Sequence, residues 1–280
     1  MKAAKIIGAA AVISLTCGLY AQNGMSIVSA EAGVGFDSRY MTYGVIDGKD
    51  PIVVPNASLT FFDWMCFGVE AIFDTTKGNG KRGGYGNRAG RYTTLDVEIA
   101  LAHEFDLGEA LGSLGMDFGY MYEYLPRCGE EVGDTQYLNL ELSFGDLWLE
   151  PSLALERDLM ADDGTYAYFG LGHTFALSES VTLRPGVGQG LGNSLRAKGY
   201  FAGLQKVEGF SHGGLMDTTL RLDLEYAFTS WLKLGAYVAF HDYWFDGDMR
   251  KAAAAYNGQW GAGEDKTWNF TGGLSFAATF

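Results

Sequence analysis

Polar and apolar residues alternate one by one over many stretches of this chain, which is the pattern of β-strands whose two faces meet different surroundings. In the stretch 93–105, the odd positions 95 to 101 carry Leu, Val, Ile and Leu, whereas the even positions 94 to 100 carry Thr, Asp, Glu and Ala. The same alternation recurs at 136–144, 147–155 and 216–228. The pattern predicts strands with one apolar and one polar face.

Twelve such segments are predicted, and together they indicate a single all-β domain. Most are ten to fifteen residues long, which exceeds the roughly 5–6 residues of an ordinary strand and suits tilted strands that cross a bilayer. Their predicted ranges are 31–43, 51–61, 64–74, 91–105, 114–125, 134–145, 147–158, 165–177, 181–192, 215–228, 231–245 and 267–280. The predicted fold is therefore a transmembrane antiparallel up-and-down β-barrel of about 12 strands.

The connections between these segments alternate in length. Tight turns are predicted at 62–63, 145–146, 178–180 and 229–230, with a somewhat longer one at 106–113. Interleaved with them are the connections 44–50, 75–90, 126–133, 159–164, 193–214 and 246–266. Short turns on one rim and long loops on the other are typical of outer-membrane barrels, and an even strand number places both termini on the short-turn, periplasmic rim.

The two ends of the chain carry export and assembly signals. A basic start with Lys2 and Lys5, an apolar run and the small residue Ala21 indicate a signal peptide over residues 1–21, which leaves the barrel at 22–280. The alternative cleavage site is after Ala30. The last strand ends in Phe280 with mostly apolar residues at every second position before it. This resembles the C-terminal signal that the barrel-assembly machinery recognises.

Composition narrows the possible partners. A protein that binds nucleic acid needs a basic face, and the formal charge of −14 therefore argues against nucleic acid as a partner. The 40 glycines and many aromatic residues fit strands and turns, and aromatic residues at predicted strand ends, such as Trp148 and Trp231, indicate interfacial girdles.

Two cysteines remain after export, Cys66 and Cys128, and their predicted separation leaves both thiols unpaired.

The first predicted hairpin resembles that of TorF-type porins of Gram-negative bacteria. The resemblance is carried by the run Ser38-Arg39-Tyr40-Met41-Thr42-Tyr43-Gly44 and by Pro51, although the family usually has Arg where Tyr43 stands. It covers about 40 residues plus the architecture. The resemblance implies a porin-like outer-membrane barrel and no catalytic chemistry.

The predicted inward face carries more acids than bases, so a water-filled lumen would favour cations. An alternative is that these groups pair into a network that closes the barrel. The pore-lining candidates are Asp96, Glu98, Glu141, Glu150, Arg184, Arg221, Asp223, Glu225 and Lys233. Further inward acids are Glu70, Asp117, Glu123 and Glu156.

A glycine-rich predicted loop carries a basic cluster. Its members are Lys77, Lys81, Arg82, Arg88 and Arg91. Two functional interpretations remain open: a positively charged constriction folded into the lumen, or a contact with lipopolysaccharide phosphates. A third interpretation is a solvated loop without a specific role.

The leading functional hypothesis is an outer-membrane porin-like channel for passive diffusion of small polar solutes, with a preference for cations. One alternative is a non-conducting barrel whose outer loops bind lipopolysaccharide, a glycan or a protein. The other is a rim hydrolase built on His241-Asp242, but adjacent strand residues point to opposite faces. We expect no catalytic residue, no metal and no cofactor, and we expect outer-membrane lipid as the surroundings.

The export signal predicts the start of the mature chain. Intact-mass analysis of protein extracted from outer membranes should give a chain that begins at Gln22. Substituting Ala21→Lys should leave the precursor uncleaved, because the cleavage site needs a small residue. A mature chain that still contains Lys2 would contradict this prediction.

Overall fold

A computed structural model describes residues 28–75, 91–126, 133–201, 204–207, 209–259, 263 and 265–280. The predicted signal peptide lies outside the described residues. In chain order the strands are β1 (Val28–Asp37), β2 (Tyr40–Thr42), β3 (Val45–Gly48), β4 (Ile52–Phe61), β5 (Met65–Asp74), β6 (Arg91–Asp106), β7 (Ser113–Tyr124), β8 (Thr135–Ser143), β9 (Ser152–Asp158), β10 (Thr165–Gly172), β11 (Phe175–Ala176), β12 (Val181–Gly192), β13 (Gly214–Ala227), β14 (Leu232–Asp242) and β15 (Asn269–Thr279). Two α-helices, α1 (Ser194–Phe201) and α2 (Gly247–Gln259), follow β12 and β14 respectively, and a short 3₁₀ helix spans Gln205–Val207.

The wall of the molecule is a closed antiparallel barrel. Its strands follow one another in the order β10, β9, β8, β7, β6, β5, β4, β1, β15, β14, β13, β12, and a β10–β12 pairing closes the ring. The two-residue β11 continues the line of β10 along β12, so the wall has twelve strand positions. The prediction of a barrel of about twelve antiparallel strands is confirmed.

Alternation along each strand sorts the side chains between two faces. In β6, Val97 and Ile99 are exposed on the outside, whereas Asp96 and Glu98 are buried on the inside. In β13, Leu220, Leu222 and Leu224 form the same kind of exposed apolar row. An apolar outer surface on a closed barrel is suited to the hydrocarbon of a bilayer, where every backbone N–H and C=O must find its partner within the protein.

The two rims differ in the length of their connections, as the sequence predicts. One rim carries short turns, for example Phe62-Asp63, where both residues have positive φ (53° and 60°) as in the tight turns that suit twisted hairpins. We call it the short-turn rim. The other, the long-loop rim, carries β2, β3, α1 and α2. Within the described residues, the helices are too short or too polar to cross a bilayer.

Two predicted strands have different limits in the structure. The first strand was expected at 31–43 but runs over Val28–Asp37, and the residues after it form a separate β2–β3 hairpin. The seventh was expected at 147–158 but begins at Ser152. Glu150 has a φ of 39° and Pro151 lacks an N–H, so neither residue can join a regular ladder.

Cys66 is disulfide-bonded, so the prediction of an unpaired thiol at this position is wrong. Cys128 lies outside the described residues. The expectation of free thiols rested on the placement of Cys66 at the start of a strand on one rim and of Cys128 in a loop on the other. Cys66 instead points to the barrel interior, where only 2% of the residue is exposed.

The two faces of β15 allow a matched test of which face of the barrel wall contacts lipid. Leu274 is exposed on the outer face, and its neighbour Ser275 is exposed on the lumen face. Arginine facing mid-bilayer lipid costs about 2–4 kcal/mol. Leu274→Arg should therefore lower the free energy of unfolding in liposomes by about that amount. Ser275→Arg, which places the same side chain in water, should lower it by less than about 1 kcal/mol, and equal losses would contradict the assignment of the faces.

Candidate functional site

The β2–β3 hairpin crosses the lumen near the long-loop rim. It leaves the wall between β1 and β4, and β9 lies diametrically opposite β1 in the ring of twelve strands. At the hairpin tip, Tyr43 donates its hydroxyl hydrogen bond to Glu156 of β9. The next residue, Gly44, accepts a 3.2 Å hydrogen bond through its carbonyl from the side-chain amide of Asn269. The tip is thus held from opposite walls at once.

Helix α2 packs on this hairpin and fixes it by side-chain hydrogen bonds. Asn257 accepts the backbone N–H of Ile46 at 2.9 Å, and Tyr256 donates to Asp47. Asp246 caps the helix by accepting the backbone N–H groups of Asp248 and Met249 at 3.0 and 3.1 Å. The helix therefore stands at the mouth of the barrel in a defined orientation.

Helix α1 completes a structure that we call the cap, made of the β2–β3 hairpin, α1 and α2. Asn193 caps α1 by accepting the N–H of Arg196 at 2.9 Å. The three elements share one hydrophobic core with residues of the wall. Its buried members include Tyr43, Val45, Tyr166, Tyr168, Ala197, Phe201, Met216, Tyr243, Met249, Ala252, Ala253 and Tyr256. The cap therefore covers the lumen at the long-loop end.

Arg196 anchors the cap to the wall. Its guanidinium lies 3.0 Å from Glu156, 3.8 Å from Asp158 and 3.3 Å from Asp162, and the residue is 1% exposed. Its Cζ also lies 5.2 Å from the ring centre of Tyr43. Burial raises the pKa of Asp162 in the neighbouring loop, and the charge of Arg196 opposes that rise.

Acidic side chains gather on the inner face of four neighbouring strands. Glu70 of β5, Asp96 of β6 and Glu123 of β7 are direct cross-strand partners. Glu98 lies on the same face of β6, and Asp117 pairs in register with Glu141 of β8. Like charges at directly opposed positions repel each other. This group, the acidic wall, therefore places six carboxyl groups on one side of the lumen.

The inward basic residues stand on the opposite wall, each beside an acid. Arg184 of β12, Arg221 of β13 and Lys233 of β14 lie across the ring from β5, β6 and β7. The ion pairs are Arg184–Glu150 at 3.0 Å, Arg221–Asp223 at 2.8 Å and Lys233–Glu225 at 3.0 Å. Their positive charges are therefore offset locally by these three carboxylates.

No protein-family model matches this chain, and no curated protein matches it either. Among solved structures, the COG4313 outer membrane channel from Pseudomonas putida F1 is similar, with a TM-score of 0.50, 12% identity, and coverage of 92% of this chain and 97% of that chain. The chain has the fold of outer-membrane channels. The NanC porin (TM-score 0.48, 9% identity, 89% and 98% coverage) and Pseudomonas aeruginosa OccK5 (TM-score 0.39, 10% identity, 91% and 68% coverage) are further matches.

Of the predicted pore-lining residues of this channel-like barrel, Glu150 has an unexpected position. It lies in the turn before β9 at the short-turn rim instead of on a strand. Its carboxylate accepts the backbone N–H and the hydroxyl of Thr174 at 2.7 and 3.0 Å, besides pairing with Arg184. These contacts tie the turn before β9 to the short break between β10 and β11 and to β12. A role of Glu150 in the lumen stays a prediction.

The basic cluster predicted in the loop 77–91 is mostly beyond what the structure describes. Lys77, Lys81, Arg82 and Arg88 lie outside the described residues, and Arg91 is the first residue of β6. Both functional interpretations of this cluster therefore stay predictions.

His241, the centre of the hydrolase alternative, is enclosed in a polar network. Its Nδ1 lies 3.1 Å from the hydroxyl of Thr219 and its Nε2 lies 3.1 Å from that of Thr271, and the residue is 2% exposed. Asp242 points elsewhere and accepts the indole N–H of Trp244 at 2.8 Å. Among the residues that the structure describes, no three His, Cys, Asp or Glu side chains form a group that could hold a metal ion.

Sequence reasoning missed the cap, although local signals for its helices exist. The run Lys251-Ala252-Ala253-Ala254-Ala255 is strongly helix-forming, and an N-cap Asp precedes α2. Arg196 carries no comparable signal, because a single arginine in a loop does not indicate which acids it will meet. Arg196 is a buried cation that was not among the predicted inward charges.

Glycine in β12 allows the wall to support the cap. A Cβ at Gly190 would lie 2.9 Å from Cε2 of Tyr166, the tyrosine whose hydroxyl donates to Asp217 at 2.7 Å. Gly190→Ala should displace this ring from the cap core and lower the melting temperature by several degrees, as scanning calorimetry in detergent would show. Gly186→Ala is the matched control on the same face. Its nearest described neighbour, the carbonyl oxygen of Leu171, lies at 3.3 Å, so a smaller shift is expected.

Proposed function

We propose that this protein is an outer-membrane channel for passive diffusion of small polar solutes, with a preference for cations. The observation that carries the proposal is the acidic wall inside a barrel whose lumen is accessible to water from the short-turn rim. On the lumen face, Ser275 is exposed, and the side chains of Glu225 and Lys233 are 44% and 30% exposed. Water and charge on the inner face are what a diffusing ion requires.

The cation preference rests on the imbalance between the two walls. Opposite the acidic wall, each of the three inward bases forms an ion pair with a neighbouring carboxylate. Asp96 is 2% exposed, and within the described part of the chain its Oδ1 accepts no hydrogen bond. A buried carboxylate oxygen in this situation attracts cations and hydrogen-bond donors.

The orientation in the membrane is part of the same proposal. The short-turn rim, which holds the start of β1 and the end of β15, faces the periplasm, and the cap faces outward. The strand that ends near Phe280 is recognised during insertion by the barrel-assembly machinery. The basic loop 77–91 contacts lipopolysaccharide phosphates or narrows the lumen.

A second candidate function is a closed barrel whose outer loops recognise a surface partner. The observation that favours it is the cap core, in which Val45, Phe201 and Met249 are completely buried. Loops that only surround an open mouth have no need of such a core. In this alternative, the cap is a rigid platform for a glycan, lipopolysaccharide or a protein.

Single-channel recording in planar bilayers under a potassium chloride gradient tests the channel and its selectivity. The mature protein should give discrete steps with a reversal potential that favours potassium. Asp96→Asn should shift that reversal potential toward zero, because it removes charge from the acidic wall. Glu109→Gln removes the same charge from an exposed turn outside the lumen and should leave the potential unchanged.

The outcomes of this recording separate the two candidates. A reversal potential that favours chloride, or one that Asp96→Asn leaves unchanged, would overturn the cation preference. A silent bilayer from protein that shows heat-modifiable migration, and is therefore folded, would favour the closed barrel with a recognition surface.

A further inference from the structure

One carboxylate oxygen joins two separate pieces of the cap to the wall. Oε1 of Glu156, on β9, accepts the hydroxyl of Tyr43 from the hairpin and lies 3.0 Å from the guanidinium of Arg196 on α1. These three residues are far apart in the chain and are each nearly completely buried. The hairpin and α1 are therefore held to the wall through one shared group.

Arg196 extends this attachment to a second loop. It lies 3.8 Å from Asp158, at the end of β9, and 3.3 Å from Asp162, in the loop between β9 and β10. Asp162 also accepts the backbone N–H of Gly164 at 2.5 Å, which fixes the loop. The guanidinium consequently connects α1 with both the wall and a neighbouring loop on the long-loop rim.

The wall does not depend on this attachment. The strands are held by continuous backbone ladders, including β8–β9, β9–β10 and the β10–β12 pairing that closes the ring. The cap, in contrast, is joined to the wall by side-chain contacts and a shared apolar core. Loss of the Arg196 contacts would therefore weaken the attachment of the cap while the barrel stays folded.

We infer that Arg196 and Glu156 form a latch that keeps the cap closed over the lumen, so that opening the channel requires their separation. A buried ion pair adds little net stability over an apolar replacement, but removing one partner leaves the other charge buried and uncompensated. Without Arg196, Glu156 and Asp158 gain by reaching water, and water reaches them when the cap moves away. The inference rests on the proposed channel function.

The test compares Arg196→Met with Arg157→Met, which removes an arginine from the outer face of β9, where it donates to the hydroxyl of Thr165 at 3.2 Å. Met keeps much of the length of the arginine side chain and removes its charge. Trypsin cleavage after Lys198, an exposed residue within α1, reports opening of the cap by mass spectrometry. Single-channel recording of the same samples reports conduction. Heat-modifiable migration confirms that each variant is folded.

Arg196→Met should raise the rate of cleavage after Lys198 about a hundredfold and increase the channel's open probability, whereas Arg157→Met should change neither. Glu156→Gln should give a smaller increase, because Arg196 keeps Asp158 and Asp162 as partners. This second variant also tests the latch if Arg196→Met does not fold.

Unchanged cleavage in both cap variants would overturn the latch. Faster cleavage with an open probability equal to that of the unaltered protein would overturn the claim that the cap controls permeation. Faster cleavage with bilayers that stay silent for every sample would support the latch as the attachment of the cap and overturn the proposed channel function instead.

Discussion

The constraint on which this structure depends is that backbone hydrogen bonds cannot be left open in the hydrocarbon of a membrane. Closing the ring through the β10–β12 pairing leaves no edge strand, so each wall strand pairs on both sides. Closure also makes one face of every strand outer and the other inner. The apolar rows that include Leu222 and Ile99 therefore belong to the outer face, and the charged rows belong to the lumen.

Given this wall, the charges inside it are unevenly arranged. The inward bases stand beside acids, whereas Glu70, Asp96 and Glu123 are neighbours of one another on three adjacent strands. Repulsion between neighbouring carboxylates is relieved by water, by a bound cation or by a proton that they share. The acidic wall thus links the architecture of the barrel to the class of solute that we propose for it.

The cap adds a second level of organisation, with the opposite physical basis. The wall is stabilised by backbone ladders, whereas the cap depends on an apolar core and buried side-chain hydrogen bonds at the end of the barrel. Such attachments are weaker and more local than a closed ladder. A fold that combines a wall held by backbone ladders with a cap held by side chains can keep the wall intact while the cap changes position. A gated channel requires this property.

The sequence by itself determined most of the wall strands, their two faces and the alternation of short and long connections. This was possible because alternation with a period of two and turns such as Phe62-Asp63 are properties of neighbouring residues. Only the tertiary structure decided that the hairpin after β1 crosses the lumen and that Arg196 meets Glu156, Asp158 and Asp162. Tyr43 and Glu156 are 113 positions apart, and Tyr43 and Tyr243 are 200 positions apart. No local pattern encodes such contacts, because they depend on how the closed wall brings distant loops to one rim.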